Sequence, residues 1–171
     1  GVNSYGGTTT VTGGTLVING SLSGTGTVSV GSSGLLAGSG TLAPPTSVSG
    51  ALAPGDGFGT LTFGSNLTFT STGRLQWELS GNSTGAGDLL NARAVAVAAG
   101  AKVDVLLNSP GSSVNLAHAF WRTGRSWPLL AAASQTGAFA LGTNTADVAG
   151  HAVATYGAFS VSNAASGASL S

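Results

Sequence analysis

Apolar and polar residues alternate one by one in the middle of the chain, between positions 51 and 79. A period of two places the apolar side chains on one face of an extended strand and the Thr, Gln and Glu side chains on the other. Three runs follow this pattern, at 61–63, 67–69 and 75–79. The breaks at 64–66 and 71–73 contain Gly, Ser and Asn, which turn a chain at low steric cost. The pattern therefore predicts short strands joined by tight turns.

The first 50 residues have the same texture and a short internal near-repeat. Strand-like runs at 8–12, 15–18 and 27–30 each end at a Gly-containing corner, and this spacing is typical of an all-β fold. The segment LAGSGTLAP at 36–44 is echoed by ALAPG at 51–55. Such repetition favours a stack of units, each burying its apolar edge against the next, over a globular sandwich. We expect equivalent positions in a narrow solenoid core for Leu16, Val30, Leu42 and Leu52.

Residues 80–110 continue the pattern less regularly. The Ala-rich stretch 92–99 is compatible with a helix, because Ala favours helix. A strand is preferred, since Val95 and Val97 alternate with Ala and Gly100 follows at once. A further strand is predicted at 102–107.

The texture changes after a turn signal at 108–111. A short helix is predicted at 117–122, strands at 127–132, 137–141 and 156–161, and an edge or tail at 162–171. The end of a solenoid exposes core and unpaired backbone that must be covered. The predicted organisation is one domain, with β-solenoid rungs in residues 1–110 and a β-rich C-terminal cap or docking segment in 111–171.

Composition narrows the functional classes. Charged residues make up only 6% of the 171 residues and the net charge is zero, which favours association and excludes a basic face for nucleic acid. The absence of Cys excludes disulfides and Cys-ligated metal sites. No apolar run is long enough for membrane insertion. Such Ser- and Thr-rich, charge-poor chains are typical of bacterial surface and secreted proteins, and a first residue other than Met suggests a processed or excised chain.

The polar residues do not form a recognisable catalytic or metal-binding pattern. The G-x-S-x-G match at 81–85 lacks the strand before it and the helix after it that a nucleophile elbow needs. The acids Glu78 and Asp104 are expected to point outward, alone, on different strands. His118 and His151 are far apart in sequence and have no third ligand nearby. We therefore predict no enzyme activity, no cofactor, and no catalytic or metal-binding residue.

The most unusual local feature is the segment WRTGRSW at 121–127. Two Trp rings and two guanidinium groups can stack on sugar rings or on a partner chain. The candidate partner-contact residues are Trp121, Arg122, Arg125 and Trp127. The preferred alternative is structural: the Trp rings close the end of the solenoid, and the guanidinium groups lie over them.

Several motifs in a row carry a family resemblance. GGTLVING at 13–20, LSGTGTV at 22–28, and LAPG at 52–55 followed by GTLTF at 59–63 resemble the autotransporter-associated β-strand repeat of large bacterial surface proteins. The similarity extends over 13–107 and is looser over 117–161. The resemblance implies a right-handed parallel β-helix exported to the cell exterior, and it brings no catalytic residues.

The fold prediction is an all-β, right-handed parallel β-helix (β-solenoid) with a less regular C-terminal cap. The predicted function is structural, at the bacterial cell surface or outside the cell. Copies of the chain are the expected partners, and strand addition at the uncapped first rung would make it a filament subunit. The alternative is an adhesin-like module that binds surface glycans through 121–127.

Overall fold

A computed structural model describes residues 1–171 and shows an all-β protein with 52% strand and 5% helix. All strands join one 15-stranded sheet that curves into a nearly closed, barrel-like wall. The strands are β1 (Val2–Asn3), β2 (Thr9–Val17), β3 (Ser21–Leu22), β4 (Val28–Gly38), β5 (Thr41–Leu42), β6 (Thr46–Val48), β7 (Ala51–Pro54), β8 (Thr60–Phe69), β9 (Arg74–Glu78), β10 (Leu89–Val97), β11 (Lys102–Leu106), β12 (Trp127–Gly137), β13 (Ala140–Asn144), β14 (Val161–Ala164) and β15 (Gly167–Leu170). The helical segments are a 3-10 turn, Ala119–Arg122, and the single turn α1, Val153–Tyr156.

Parallel pairing runs through three ladders of strands. One ladder joins β2, β4, β6, β8, β10 and β12. A second starts at the C-terminal parts of β2 and β4 and continues through β7, β9, β11 and β13. The third starts at β1, β3 and β5 and joins the N-terminal parts of β8, β10 and β12. Each long strand bends between two ladders, so the predicted break at 64–66 is a bend inside β8.

In-register pairing stacks similar apolar side chains in columns. The inward column of the first ladder is Val11, Val30, Val48, Phe69 and Val97. The second ladder stacks Leu16, Leu36, Leu52, Leu75, Val103 and Leu141, and the third stacks Leu22, Leu42 and Phe63. The predicted equivalence of four core residues is correct only for Leu16 and Leu52. Val30 and Leu42 lie on the other two ladders, because each repeat unit supplies a residue to all three.

The core side chains become larger and the repeat becomes longer toward the C-terminus. The two residues of a pair are 19 sequence positions apart for Val11 and Val30, 28 for Phe69 and Val97, and 40 for Val97 and Gly137. The additional residues form the excursions at 79–88 and 107–126. Phe63, Phe69, Trp77 and Trp127 fill the wider part and are almost completely buried.

Apart from two isolated antiparallel bridges, Gly38–Gly55 and Leu79–Gly87, antiparallel pairing is confined to the C-terminal strands. β14 and β15 form a hairpin, and β15 lies antiparallel to the first part of β12. Residues 162–171 are therefore mostly strand, and Ala168 and Leu170 are buried. The predicted strand at 156–161 is wrong: α1 occupies Val153–Tyr156, and the chain then runs without regular structure to β14. The alternating pattern at 156–161 does not form a strand, because Tyr156 and Phe159 lie against the 121–127 loop and residues 156–159 pair with no strand.

The remaining element predictions agree closely with the structure. The Ala-rich stretch is strand, within β10, and the predicted helix at 117–122 is the 3-10 turn. The strand expected at 137–141 begins later, at Ala140, because Phe139 turns into the core. Neither helical segment has the length and apolar character needed to cross a membrane.

Candidate functional site

Five aromatic side chains meet where the core is widest, and we call them the aromatic cluster: Trp77, Phe120, Trp121, Trp127 and Phe159. The ring centroids of Trp121 and Trp127 are 5.5 Å apart, and Phe159 meets both rings edge-on at 6.3 and 6.4 Å. Trp77 lies 6.3 Å from Trp127 on the core side. These separations and angles are those preferred by aromatic pairs, so the cluster is a packed unit.

The loop 80–87 fixes the orientation of the indole rings. The Nε1–H of Trp121 donates to Oδ1 of Asn82 at 2.8 Å, and the Nε1–H of Trp127 donates to the carbonyl of Ser83 at 2.9 Å. Ser83 itself is exposed in an irregular segment with no helix after it. The G-x-S-x-G stretch therefore supports the Trp rings and lacks the geometry of a nucleophile elbow.

A cavity of about 240 Å³ opens beside the aromatic cluster. Its wall includes Trp121, Trp127 and Phe159, together with Tyr156 from the end of α1. Arg122 and Arg125 also line it, and no Asp or Glu does. The structure thus places the four candidate residues of the 121–127 segment around one cavity, together with Tyr156 and Phe159 from the C-terminal region.

The two arginines of this cavity have few partners inside the chain. The guanidinium carbon of Arg125 lies 4.6 Å from the ring centroid of Phe120, and its Nε–H donates to the Phe120 carbonyl at 3.3 Å. The predicted stacking of Arg on aromatic rings therefore involves Phe120 and not a Trp ring. The Arg122 side chain is exposed and forms no hydrogen bond or ion pair within the chain. Both guanidinium groups keep free N–H donors at the cavity.

Asp88 is a buried carboxyl group between the core and the cluster. Its oxygens accept hydrogen bonds from the backbone N–H of Gly59 at 2.8 Å and of Glu78 at 3.0 Å. Its own carbonyl accepts the Nε1–H of Trp77 at 2.7 Å. Burial raises the pKa of Asp88 to about 8, although the two N–H donors oppose this shift. The group joins β8, β9 and β10 and has no access to a substrate.

Asp104 differs from the sequence expectation of a lone outward acid. It is buried and accepts two hydrogen bonds from the guanidinium of Arg74, both at 2.5 Å, and two from Thr143 at 2.8 Å. Burial acts to raise the pKa of Asp104, but the bonds from Arg74 and Thr143 outweigh it and lower the pKa. Glu78 is not alone either, since it accepts the hydroxyl of Ser109 at 2.7 Å. These partners lie 30 to 39 residues away in sequence, and only strand register brings them together.

One hydrogen-bonded pair of side chains in the cap, Asp147 and His151, was not predicted from the sequence. Asp147 is buried and accepts Nδ1 of His151 at 2.8 Å and the backbone N–H of Leu116 at 2.7 Å. Burial alone would raise the pKa of Asp147, but these and further N–H bonds hold it at about 2. The His151 ring lies 5.4 Å from Tyr156, which lines the cavity. The sequence signal for this pair was the four-residue spacing of Asp147 and His151, with Gly150 between them.

No site of another kind emerges from the side chains. No three His, Asp or Glu side chains lie close enough together to hold a metal ion. Nδ1 of His118 accepts the N–H of Phe120 and so begins the 3-10 turn. Comparison with models of known protein families finds no match, and no curated protein is significantly similar to the chain.

Proposed function

We propose that the chain is a structural β-solenoid module of the bacterial cell surface or extracellular space, without catalysis. In this proposal the three parallel ladders are the faces of a right-handed parallel β-helix, because parallel crossovers are right-handed in nearly all proteins. Residues 1–110 form its coils and 111–171 its cap. Within the cap, β12 and β13 extend the ladders, and the β14–β15 hairpin covers them. The charge-poor, Cys-free composition supports the proposed location.

The two ends of the stack differ in how their backbone is covered. At the C-terminal end, β15 pairs with the first half of β12, and the side chain of Asn163 bonds to Gln135 and Phe139. At the other end, β2 pairs with β4 on one side only. Its second edge therefore presents unpaired N–H and C=O groups to another strand.

The single observation that carries the proposal is the chemistry of this β2 edge. Natural proteins protect an edge strand with Lys, Pro or inward charges. β2 has none of these, and residues 1–55 contain no charged side chain at all. Val2, Tyr5 and Val17 nearby are 76%, 50% and 42% exposed. A second copy of the chain, equally uncharged, fits this edge without electrostatic repulsion.

The geometry favours a closed pair over an open filament. Two β2 edges can meet antiparallel about a two-fold axis, and each edge then satisfies the other. Head-to-tail addition would have to pair the β2 end with the capped end, where β13 is the strand left open beside the hairpin. We therefore propose self-association through β2 edges, and the filament is the alternative outcome of the test.

Placing Lys on the β2 edge should abolish self-association. In Thr10→Lys/Thr15→Lys, two positive charges on each copy would meet at the shared edge, and the expected species is a monomer. The column of paired residues that begins at Thr15 contains Arg74 on β9 and Lys102 on β11. A long basic side chain therefore fits at this position. Sedimentation equilibrium across a hundredfold concentration range measures the effect, with electron microscopy to detect filaments.

The matched control is Ser29→Lys/Ala51→Lys, which adds equal charge in the same two columns on strands paired on both sides. The control should associate as the wild type does. A wild type that stays monomeric at the highest concentration, or equal loss in both variants, would contradict the proposal.

The second candidate function is a glycan-binding module at the cavity, and the convergence of aromatic rings and free guanidinium donors supports it.

Trp121→Ala and Trp127→Ala should separate binding from packing. Trp127 is 2% exposed, so its truncation should cost about 3–5 kcal/mol of unfolding free energy. Trp121 is only half-buried, so its loss should weaken binding with a smaller loss of stability. Glycan-array binding and urea unfolding, measured on both variants, check this; equal stability losses would count against the assigned roles.

A further inference from the structure

The charge distribution singles out the cavity on an otherwise neutral protein. Of the basic side chains, Arg74 is neutralised by Asp104, and Arg93 and Lys102 lie elsewhere on exposed strand surface. Arg122 and Arg125 both line the cavity and have no acidic partner. The acid in the same part of the cap, Asp147, is buried and bonded to His151. The cavity is therefore lined by two arginine side chains and by no Asp or Glu side chain.

The polar groups at the cavity suit a hydroxylated anion. Tyr156 and Thr123 line it, and neither side-chain hydroxyl has a hydrogen-bond partner in the chain. Trp121 adds a ring whose position is fixed by Asn82. A rigid aromatic ring beside free donors is the usual arrangement for holding the apolar face of a sugar while its hydroxyls and charged groups are bonded.

We infer that this cavity binds a sugar that carries a carboxylate group. The carboxylate accepts hydrogen bonds from Arg122 and Arg125, and the sugar ring packs on Trp121. The cavity volume of about 240 Å³ lies below the roughly 300–1,000 Å³ of sites for larger ligands, which suits a single sugar ring. Charge-assisted bonds to carboxylate are stronger than neutral ones, so they decide the selectivity. This inference rests on the glycan-binding function proposed for the cavity and is independent of self-association.

The test compares two ligands that differ only at C6, where one carries a carboxylate and the other a neutral hydroxymethyl group. Methyl glucuronide and methyl glucoside are titrated into the wild-type protein by calorimetry and by Trp fluorescence. The glucuronide should bind at least about tenfold more tightly, the ratio expected from one charge-assisted bond. A nucleoside monophosphate, which also combines a ring with an anion, serves as the competing ligand class and should bind more weakly than the glucuronide.

The variants assign the selectivity to the two arginines. Arg122→Gln/Arg125→Gln should reduce glucuronide affinity at least about tenfold and glucoside affinity much less, so that the preference for the glucuronide is lost. Arg93→Gln removes an exposed arginine outside the cavity and should have no effect. Equal affinity for both sugars would overturn the acidic selectivity and leave the glycan-binding function standing. No saturable binding of either sugar at millimolar concentration would overturn both, and tighter binding of the nucleotide would replace the sugar as the ligand class.

Discussion

Trp77→Ala should lose about 3–5 kcal/mol of unfolding free energy, a large share of the roughly 5–15 kcal/mol that stabilises a typical domain. Trp77 is completely buried, its Nε1–H donates to the Asp88 carbonyl, and its ring packs directly on Gly87. Truncation leaves a cavity at the widest part of the core and an unpaired buried carbonyl. Urea unfolding followed by far-UV circular dichroism measures the loss.

Two comparison variants separate the causes of that loss. Trp77→Phe keeps most of the ring and removes the hydrogen bond, so it should cost less than the alanine variant. Tyr5→Ala removes an aromatic side chain that is 50% exposed, so it should change stability by no more than about 0.5 kcal/mol. A loss below about 1 kcal/mol for Trp77→Ala would mean that the aromatic cluster does not hold the wide end of the core together.

The second large effect is a loss of stability as pH rises from about 4 to about 8. The pKa of Asp88 is about 8 in the folded protein, against 3.8 for an ordinary Asp side chain. Between these values the folded protein binds a proton that the unfolded chain has released, so unfolding becomes easier as pH rises. The stabilisation is complete below pH 4 and is lost through pH 8, with a slope of up to about 1.4 kcal/mol per pH unit.

Below about pH 4, the unfolding free energy is expected to fall as the pH falls. Asp147, with a pKa of about 2, and Asp104, whose pKa is also lowered, stabilise the fold when ionised. Their contribution is lost as pH falls below about 4, because the folded protein then resists protonation that the unfolded chain accepts. Stability should therefore be highest near pH 4, which is an unusually acidic optimum.

Asp88→Asn tests the assignment of the slope above pH 4. The amide cannot release a proton, so the variant's stability should be flat from pH 4 to pH 8. It should also be less stable than the wild type at pH 4. Both carboxyl oxygens of Asp88 accept a backbone N–H, whereas the NH2 group of the asparagine cannot accept one. Asp56→Asn changes an exposed acid and should keep the wild-type slope. A wild type whose stability is constant or rises between pH 4 and pH 8 would show that Asp88 is ionised in the fold.

Local pattern predicted the strands well wherever the period of two was long enough to read. The runs 61–63, 67–69 and 75–79 alternate strictly, and β8 and β9 follow that alternation with Leu, Phe and Trp side chains inward. The C-terminal region was predicted less well, because its alternating runs are short and mostly small and polar. Val161 and Leu170 belong to an antiparallel hairpin whose existence depends on the exposed edge of β12.

The candidate site shows the same division between local and non-local information. Its Trp and Arg residues stand out in the sequence, because two of each occur within seven residues of a chain poor in both. Tyr156 and Phe159 carry no such signal, and they reach the cavity only because the chain after α1 folds back on the 121–127 loop. The partners of Asp104 could not be predicted either, since Arg74 lies thirty residues earlier in the sequence.

By itself, the sequence determined that this protein is all-β, charge-poor and built of short strands, because alternation, turn residues and composition act locally or additively. The tertiary structure decided which strands are neighbours, and the register of the parallel ladders depends on contacts between residues 16 to 40 positions apart. That register placed Asp104 in a partly buried ion pair with Arg74 and assembled the cavity from two distant segments. It also left β2 open and covered β12, a difference between the two ends that no local pattern specifies.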